Sequence, residues 1–229
     1  NSQSIEWQQC YGGTDYDRFN SMVKTLSGGF LGVGFTYSDD SLVSGLFHGD
    51  HDLLLTKIDS VGNLEWQKCY GGSHVDVSYQ ILQVDTNYLI CGSTISSDGD
   101  VTGHHGTFWF DFWVVKIDHQ GNIIWEKCLG GTEDEGAKSI IQISNNSYLI
   151  SGYKASSDGD ITCGHGYEDP WVIKLTDTTI TTHIINPIQT ETAIYPNPSN
   201  GNLIISRDDS RMCKISISNL VGKEVFSSK

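Results

Sequence analysis

Basic side chains are scarce in this chain. Lys and Arg number 14 against 28 Asp and Glu, a formal charge of −14 over 229 residues. Nucleic acid and anionic membrane surfaces are recognised through a basic face, so neither is an expected partner. Alanine is sparse, and apolar residues nowhere recur with a sustained 3.6-residue period, which argues against a helical architecture. No apolar run is long enough to span a bilayer as a helix. There is no Gly-x-Ser-x-Gly elbow, no phosphate loop and no dinucleotide fingerprint, so three large enzyme classes lose their signatures. Asn1 is preceded by neither an initiating Met nor a secretory leader, which reads as a mature form or a fragment. What is abundant is Gly, Ser, Thr, Asn and Asp, a composition suited to short strands and many turns.

One pattern is written three times. Trp7, Trp66 and Trp125 stand 59 residues apart. Each is followed by a Cys (Cys10, Cys69, Cys128) and then by Gly-Gly (Gly12-Gly13, Gly71-Gly72, Gly130-Gly131). A fixed period of this size means one supersecondary unit stacked on copies of itself. In the second unit Val77–Val84, Tyr88–Thr94, Phe112–Asp118 and Ile123–Cys128 read as four antiparallel strands, with a polar loop from Ser96 to about Thr107 and a tight turn at Gln120-Gly121-Asn122. The first and third units align with it: Gly34, Gly92 and Gly152 share a position, as do Val33, Cys91 and Ser151. Equivalent cysteines in successive repeats lie too far apart for disulfides, so Cys10, Cys69 and Cys128 read as small buried apolar side chains.

The unit, through Trp66 to Gly72, Gly92, Ser96 to Asp100, Trp113 to Asp118 and Gly121, resembles the Trp- and Gly-Gly-bearing β-propeller repeats of exported bacterial proteins. The resemblance covers about residues 5–177 and implies an all-β fold of four-stranded blades packed face to face around an axis. The recurring indoles are expected to fill the gaps between sheets. Residues 5–11 carry a Trp strand with no strands before it, and the third unit ends near Thr176 without one. Propellers have about four to eight blades. Three units therefore read as part of a longer parent chain or as half of a two-chain ring, the former preferred.

Residues 178–192 read as a linker. Beyond it, Tyr195-Pro196-Asn197-Pro198, Gly201 and Asn219 to Val225 with its turn at Gly222 resemble the C-terminal sorting domain of type IX (Por) secretion substrates, over residues 193–229. That resemblance implies a small β-sandwich, engagement of the type IX secretion machinery, and an address outside the cell or on the outer surface of a Gram-negative bacterium. Family members continue with a further strand, so the domain reads as partial.

Chemistry concentrates in the long loop of each unit. Asp98-Gly99-Asp100 and Asp158-Gly159-Asp160 pair carboxylates around a sharp bend, as a Ca²⁺ site would. Turn capping by the same carboxylates is the stronger expectation. His48, His105 and His165 recur before Gly, with His104 beside one of them; bracing of their own loops is favoured over a transition-metal site. The acids after Gly-Gly (Asp15, Asp17, Asp76, Glu133, Asp134, Glu135) follow the repeat, which favours loop bracing over glycosidase chemistry. Phe108-Trp109-Phe110 departs from the other units and is a candidate protein- or glycan-binding patch. These readings favour a non-enzymatic surface binding module; a secreted hydrolase of polysaccharide or peptide, or an accessory domain of one, is the alternative.

Overall fold

The computed structural model describes residues 3–40 and 48–178, together with the backbone of four short strands near the C-terminus. The chain divides after Thr178 into two compact units. In the first, Asp17–Lys24 (β1), Phe30–Thr36 (β2), Asp52–Ile58 (β3) and Leu64–Tyr70 (β4) form an antiparallel sheet in sequential order. Asp76–Val84 (β5), Asn87–Thr94 (β6), Asp111–Ile117 (β7) and Ile123–Leu129 (β8) form a second. Glu135–Ser144 (β9), Ser147–Lys154 (β10) and Asp169–Thr176 (β11) form a third, of three strands only. No helix occurs among the described residues.

The middle sheet is apolar on both faces because its neighbours cover both. Along β7 the side chains alternate between two cores. Trp113, Val115 and Ile117 pack with Leu31, Val33, Leu53 and Leu55 of the first sheet. Phe112 and Val114 pack with Ala137, Ile140, Ile150 and Trp171 of the third. This explains why Phe112-Trp113-Val114-Val115 reads as an unbroken apolar run rather than an alternation. Each such Val, Ile or Phe contributes about 1.5–3 kcal/mol when buried. The first strand of each later sheet carries the contact with the sheet before it: β5 packs on β1, β2 and β3, and β9 packs on β5, β6 and β7.

Every first strand carries a bulge at the same place, at Asn20, Tyr79 and Lys138. The bulge swings the preceding carbonyl inward, over the residue opposite. That residue is Gly34, Gly92 or Gly152, where a β-carbon would collide with the carbonyl oxygen of Arg18, Val77 or Gly136. The shared glycine is therefore a consequence of the shared bulge. The bulge also turns polar groups toward the next sheet: Asn20 Nδ2 donates to the Ser78 carbonyl (2.7 Å), and the Ile140 amide donates to Gln80 Oε1 (2.8 Å).

The recurring indoles behave differently from expectation. Trp66 is half-buried and rests on Gly121 in the turn of the following sheet, where positive φ (79°) and the ring together require glycine. The indole that fills the inter-sheet gap is Trp113, which is 1% exposed. Trp7 repeats the Trp66 contact on Gly62, and the Tyr11 hydroxyl donates to the Gly62 carbonyl (2.7 Å) just as Tyr70 does at Gly121. Residues 5–11, however, form no strand. Cys10 is accordingly exposed, whereas Cys69 and Cys128 are buried as expected. All five described cysteines are free thiols.

In the second unit Ala193–Tyr195 (β12) pairs antiparallel with Ile204–Ser206 (β13), and Ile215–Ser218 (β14) with Glu224–Ser228 (β15).

Gly92→Ala is expected to destabilise the protein by about 1–3 kcal/mol or more, since backbone rather than a flexible side chain occupies the β-carbon position. Gly166→Ala, with open space around it, should be close to neutral. Thermal denaturation of the two variants provides the comparison.

Candidate binding rim

At one end of the sheets the Gly-Gly turns meet the long loops, and a single hydrogen-bonding scheme is repeated there. In the second unit the buried Asp76 accepts from the Gly72 amide (2.7 Å), the Ser96 hydroxyl (2.8 Å) and the Thr94 hydroxyl. Ser96 Oγ in turn accepts from the His74 amide (3.0 Å). The first unit does the same with Asp17, Gly13, Ser38 and Thr36. The third substitutes Glu135, which accepts from the Gly131 amide (2.8 Å) and from the amides of Ala155 and Ser156. Two β-type backbone bonds close the junctions between sheets: the Asp76 amide donates to the His51 carbonyl (2.7 Å), and the Glu135 amide to the Phe110 carbonyl (2.6 Å).

The Asp-Gly-Asp carboxylates serve the same turns. Asp98 accepts from the Ser73 amide (2.6 Å) and Asp100 from the Gly71 amide (3.3 Å). Asp158 accepts from both the amide (2.9 Å) and the hydroxyl (2.8 Å) of Thr132, and Asp160 from the Gly130 amide (3.3 Å). Hydrogen bonds from Ser73 and Thr132 hold the Asp98 and Asp158 carboxyls below the usual carboxylate range. Among the described residues no group of three His, Cys, Asp or Glu is arranged to hold a metal ion.

The recurring histidines brace the strand that follows them. The amides of His48, His105 and His165 donate to Asp52, Asp111 and Asp169 at 2.6, 2.8 and 2.7 Å. His105 Nδ1 also lies 2.8 Å from Asp111 Oδ2, and its Nε2 lies 3.7 Å from Asp160. His104 Nε2 instead faces the Trp109 carbonyl at 2.9 Å. The strand-opening aspartates Asp52, Asp111 and Asp169 were not foreseen from sequence. Their signal is a carboxylate at the head of an otherwise apolar strand, once per unit.

Two of these aspartates form inter-sheet carboxyl pairs. A β-carbon on Gly71 would collide with Asp76 Oδ2 and Asp52 Oδ1, and one on Gly130 would collide with Asp111 Oδ1 and Glu135 Oε2. Asp52, Asp76, Asp111 and Glu135 are all fully buried. Among the described residues the Oδ1 atoms of Asp52 and Asp111 have no hydrogen-bond partner. Burial pushes the Asp76 carboxyl up to about 6, and the Asp52 charge adds to the effect. Burial likewise raises Asp52 and Asp111. In the third sheet the Thr36/Thr94 position is taken by Lys154, whose Nζ lies 3.0 Å from Asp169.

The aromatic departure sits on this rim. Between the bracing His and the strand-opening Asp there are three residues in the first and third units and five in the second, Gly106 to Phe110. Phe108 is 81% and Trp109 52% exposed, while Phe110 is half-buried with its amide directed at Asp134 Oδ1 (3.2 Å). Tyr167, 91% exposed in the equivalent loop, joins them as an aromatic that the sequence reading missed. The acids after Gly-Gly are largely engaged: Asp134 accepts from Phe110 and from the Tyr153 hydroxyl, while Asp17, Asp76 and Glu135 hold the turns.

Of the tail motif, Tyr195 ends β12, whereas Pro196, Asn197, Pro198, Gly201 and Gly222 lie outside the described residues. Residues 193–229 match the family model described as a secretion system C-terminal sorting domain. No curated protein matches the chain. The sorting-domain match marks the chain for export, to the cell surface or beyond it.

The carboxyl pairs set a pH dependence. The folded state holds the Asp76 proton up to about pH 6, whereas an unfolded Asp releases it near about 3.9. The folded state therefore binds more protons in that window, and stability falls as pH rises through it. The melting temperature should be higher at pH 5 than at pH 8. Asp52→Asn, which removes one of the two like charges, should raise the pH 8 value and flatten the slope in part, because burial of Asp76 is the larger cause of its shift; an unchanged slope would show that Asp52 does not contribute.

Proposed function

We propose that this chain is a segment of a β-propeller, exported by type IX secretion to the outer surface of a Gram-negative cell, that binds a protein or glycan through the Phe108–Trp109 loop. Sheets packed face to face, each meeting the one before it through its first strand, support the propeller reading. The sorting domain at residues 193–229 supports the export route and a partner in the secretion machinery.

The binding reading is carried by one observation: two large aromatic side chains are exposed on a loop that is longer than its equivalents, although neighbouring residues anchor that loop. An exposed indole costs little entropy to immobilise and offers a face for stacking on a sugar or for burial in a protein interface. Asp17, Asp76 and Glu135 accept from turn amides and Asp134 from the Phe110 amide, which supports loop bracing over hydrolase chemistry at these acids. Calcium at Asp98 and Asp100, or at Asp158 and Asp160, would share carboxylates that already accept from Ser73, Gly71, Thr132 and Gly130.

Two measurements test this reading. On a glycan array or in a surface pull-down, Trp109→Ala should weaken capture by about tenfold or more, equivalent to ~1.4 kcal/mol, with the melting temperature unchanged. Equal capture by the variant removes Trp109 from the site. Added Ca²⁺ should leave the melting temperature unchanged; a rise abolished by Asp98→Asn or Asp158→Asn would instead establish a calcium site.

A further inference from the structure

At the end of the sheets opposite the Gly-Gly turns, one buried lysine marks each junction between sheets. Lys57 near the end of β3 and Lys116 near the end of β7 are each 5% exposed. Between the second and third sheets the lysine is met by a carboxylate of the facing sheet. Asp177, just past β11, accepts from Lys116 Nζ (2.5 Å) and from Trp125 Nε1 (3.1 Å). The Asp177 amide donates to the Asn146 carbonyl (2.8 Å), which fixes the carboxylate in the gap.

The junction between the first and second sheets keeps the two donors and changes the acceptor. Lys57 pairs with Trp66 across β3 and β4 as Lys116 pairs with Trp125 across β7 and β8. Ile117 lies opposite Tyr88 and Leu175 opposite Tyr148, so His119 and Asp177, each two residues further on, share a position. Here Lys57 takes its counter-ion from its own sheet: Nζ donates to Glu65 Oε2 (2.8 Å) and to the Ile58 carbonyl (3.3 Å). Ile124 stands at the Glu65 position of the second sheet. With His119 in place of the facing carboxylate, a cavity of about 360 Å³ opens between the sheets. Leu26, Ser27 and Lys57 line it from the first sheet, and Thr86, Tyr88 and His119 from the second. Each polar side chain on these walls carries a proton to donate, from an ammonium, a hydroxyl or an imidazole.

We propose that this cavity binds a small molecule bearing a carboxylate, which takes the place that Asp177 fills at the other junction. The chain supplies its own precedent, since the same lysine and tryptophan positions already hold a carboxylate between two sheets. Lys57 Nζ gives the charge-assisted bond, stronger in a buried setting than at a wet surface. Trp66 Nε1 gives the second bond, as Trp125 does to Asp177, and the exposed His119 adds a donor at the mouth. Glu65 is exposed and turns toward water as the incoming anion takes Lys57. A volume near the lower bound of about 300 Å³ for ligand pockets suits a small organic acid rather than a polymer. The site lies at the end of the sheets opposite the Phe108–Trp109 loop, so the inference does not depend on what that loop binds.

Calorimetric titration of the full chain with sodium succinate at constant ionic strength tests it. Saturable binding of succinate is expected, and none of succinamide, which has the same shape without the charge. His119→Asp restores the carboxylate of the other junction from within the chain, on an exposed side chain that the fold does not need. It should lower succinate affinity by about tenfold or more, and Lys57→Met should do the same. Glu65→Gln, which removes an exposed competing anion, should strengthen binding by about threefold. If Lys57→Met does not fold, His119→Asp decides alone. Absence of saturable succinate binding, equal binding of succinamide, or affinity unchanged in His119→Asp would each overturn the proposal.

Discussion

The rest of the structure depends on a four-stranded sheet having two faces and this sequence making both of them apolar. A sheet with one wet face can stand alone against a single partner, and its strands then alternate between apolar and polar residues. The strand Asp111–Ile117 does not alternate, because Trp113 and Val115 serve one core while Phe112 and Val114 serve the other. Such a sheet is stable only between two others. A 59-residue period supplies those neighbours by repetition, and the polar groups then have to be satisfied at the rims, where the loops lie.

Repetition also fixes what the rim can be made of. Each junction needs a turn tight enough to bring the first strand of one sheet against the third strand of the sheet before it. Gly-Gly makes the turn, and a buried carboxylate at Asp17, Asp76 or Glu135 collects its amides. The strand-opening Asp of the preceding sheet collects the amide of the bracing histidine. Bringing these two functions together places two carboxyl groups over one glycine. At the Asp52–Asp76 junction burial raises the Asp76 carboxyl to about 6, and repulsion from the Asp52 charge adds to that rise.

Much of the fold was legible in the chain because period and turn chemistry are local. The strands of the second unit fall within about two residues of the expected bounds, and the Gly121 turn, the buried Cys69 and Cys128 and the bracing histidines follow the repeat. What was illegible depended on neighbours in space. Trp7 and Cys10 carry the strand signature yet form no strand, since pairing is a property of two strands rather than one. The shared glycine at 34, 92 and 152 was visible as a pattern, but its cause, a bulge in the partner strand, was not. The carboxyl pairs were hidden because their members are far apart along the chain, as with Asp52 and Asp76, and belong to different sheets.

A repeat separates structural from functional residues by its exceptions. What recurs in every unit at a junction has a role in the junction, as the bracing histidines and the carboxylates Asp17, Asp76 and Glu135 do. Three departures remain. The two extra residues of the Gly106–Phe110 segment place large aromatics in water, against the tendency of such side chains to be buried, and among the described residues no packing role accounts for Phe108 or Trp109. Lys154 replaces a threonine and puts a cation beside Asp169 in the third sheet. Residues 5–11 keep a strand sequence without a sheet. The first departure faces outward from the rim, whereas the other two belong to the junctions between sheets. The recognition proposed for the Phe108–Trp109 loop therefore draws on a departure from the repeat and not on the junction chemistry that every unit shares.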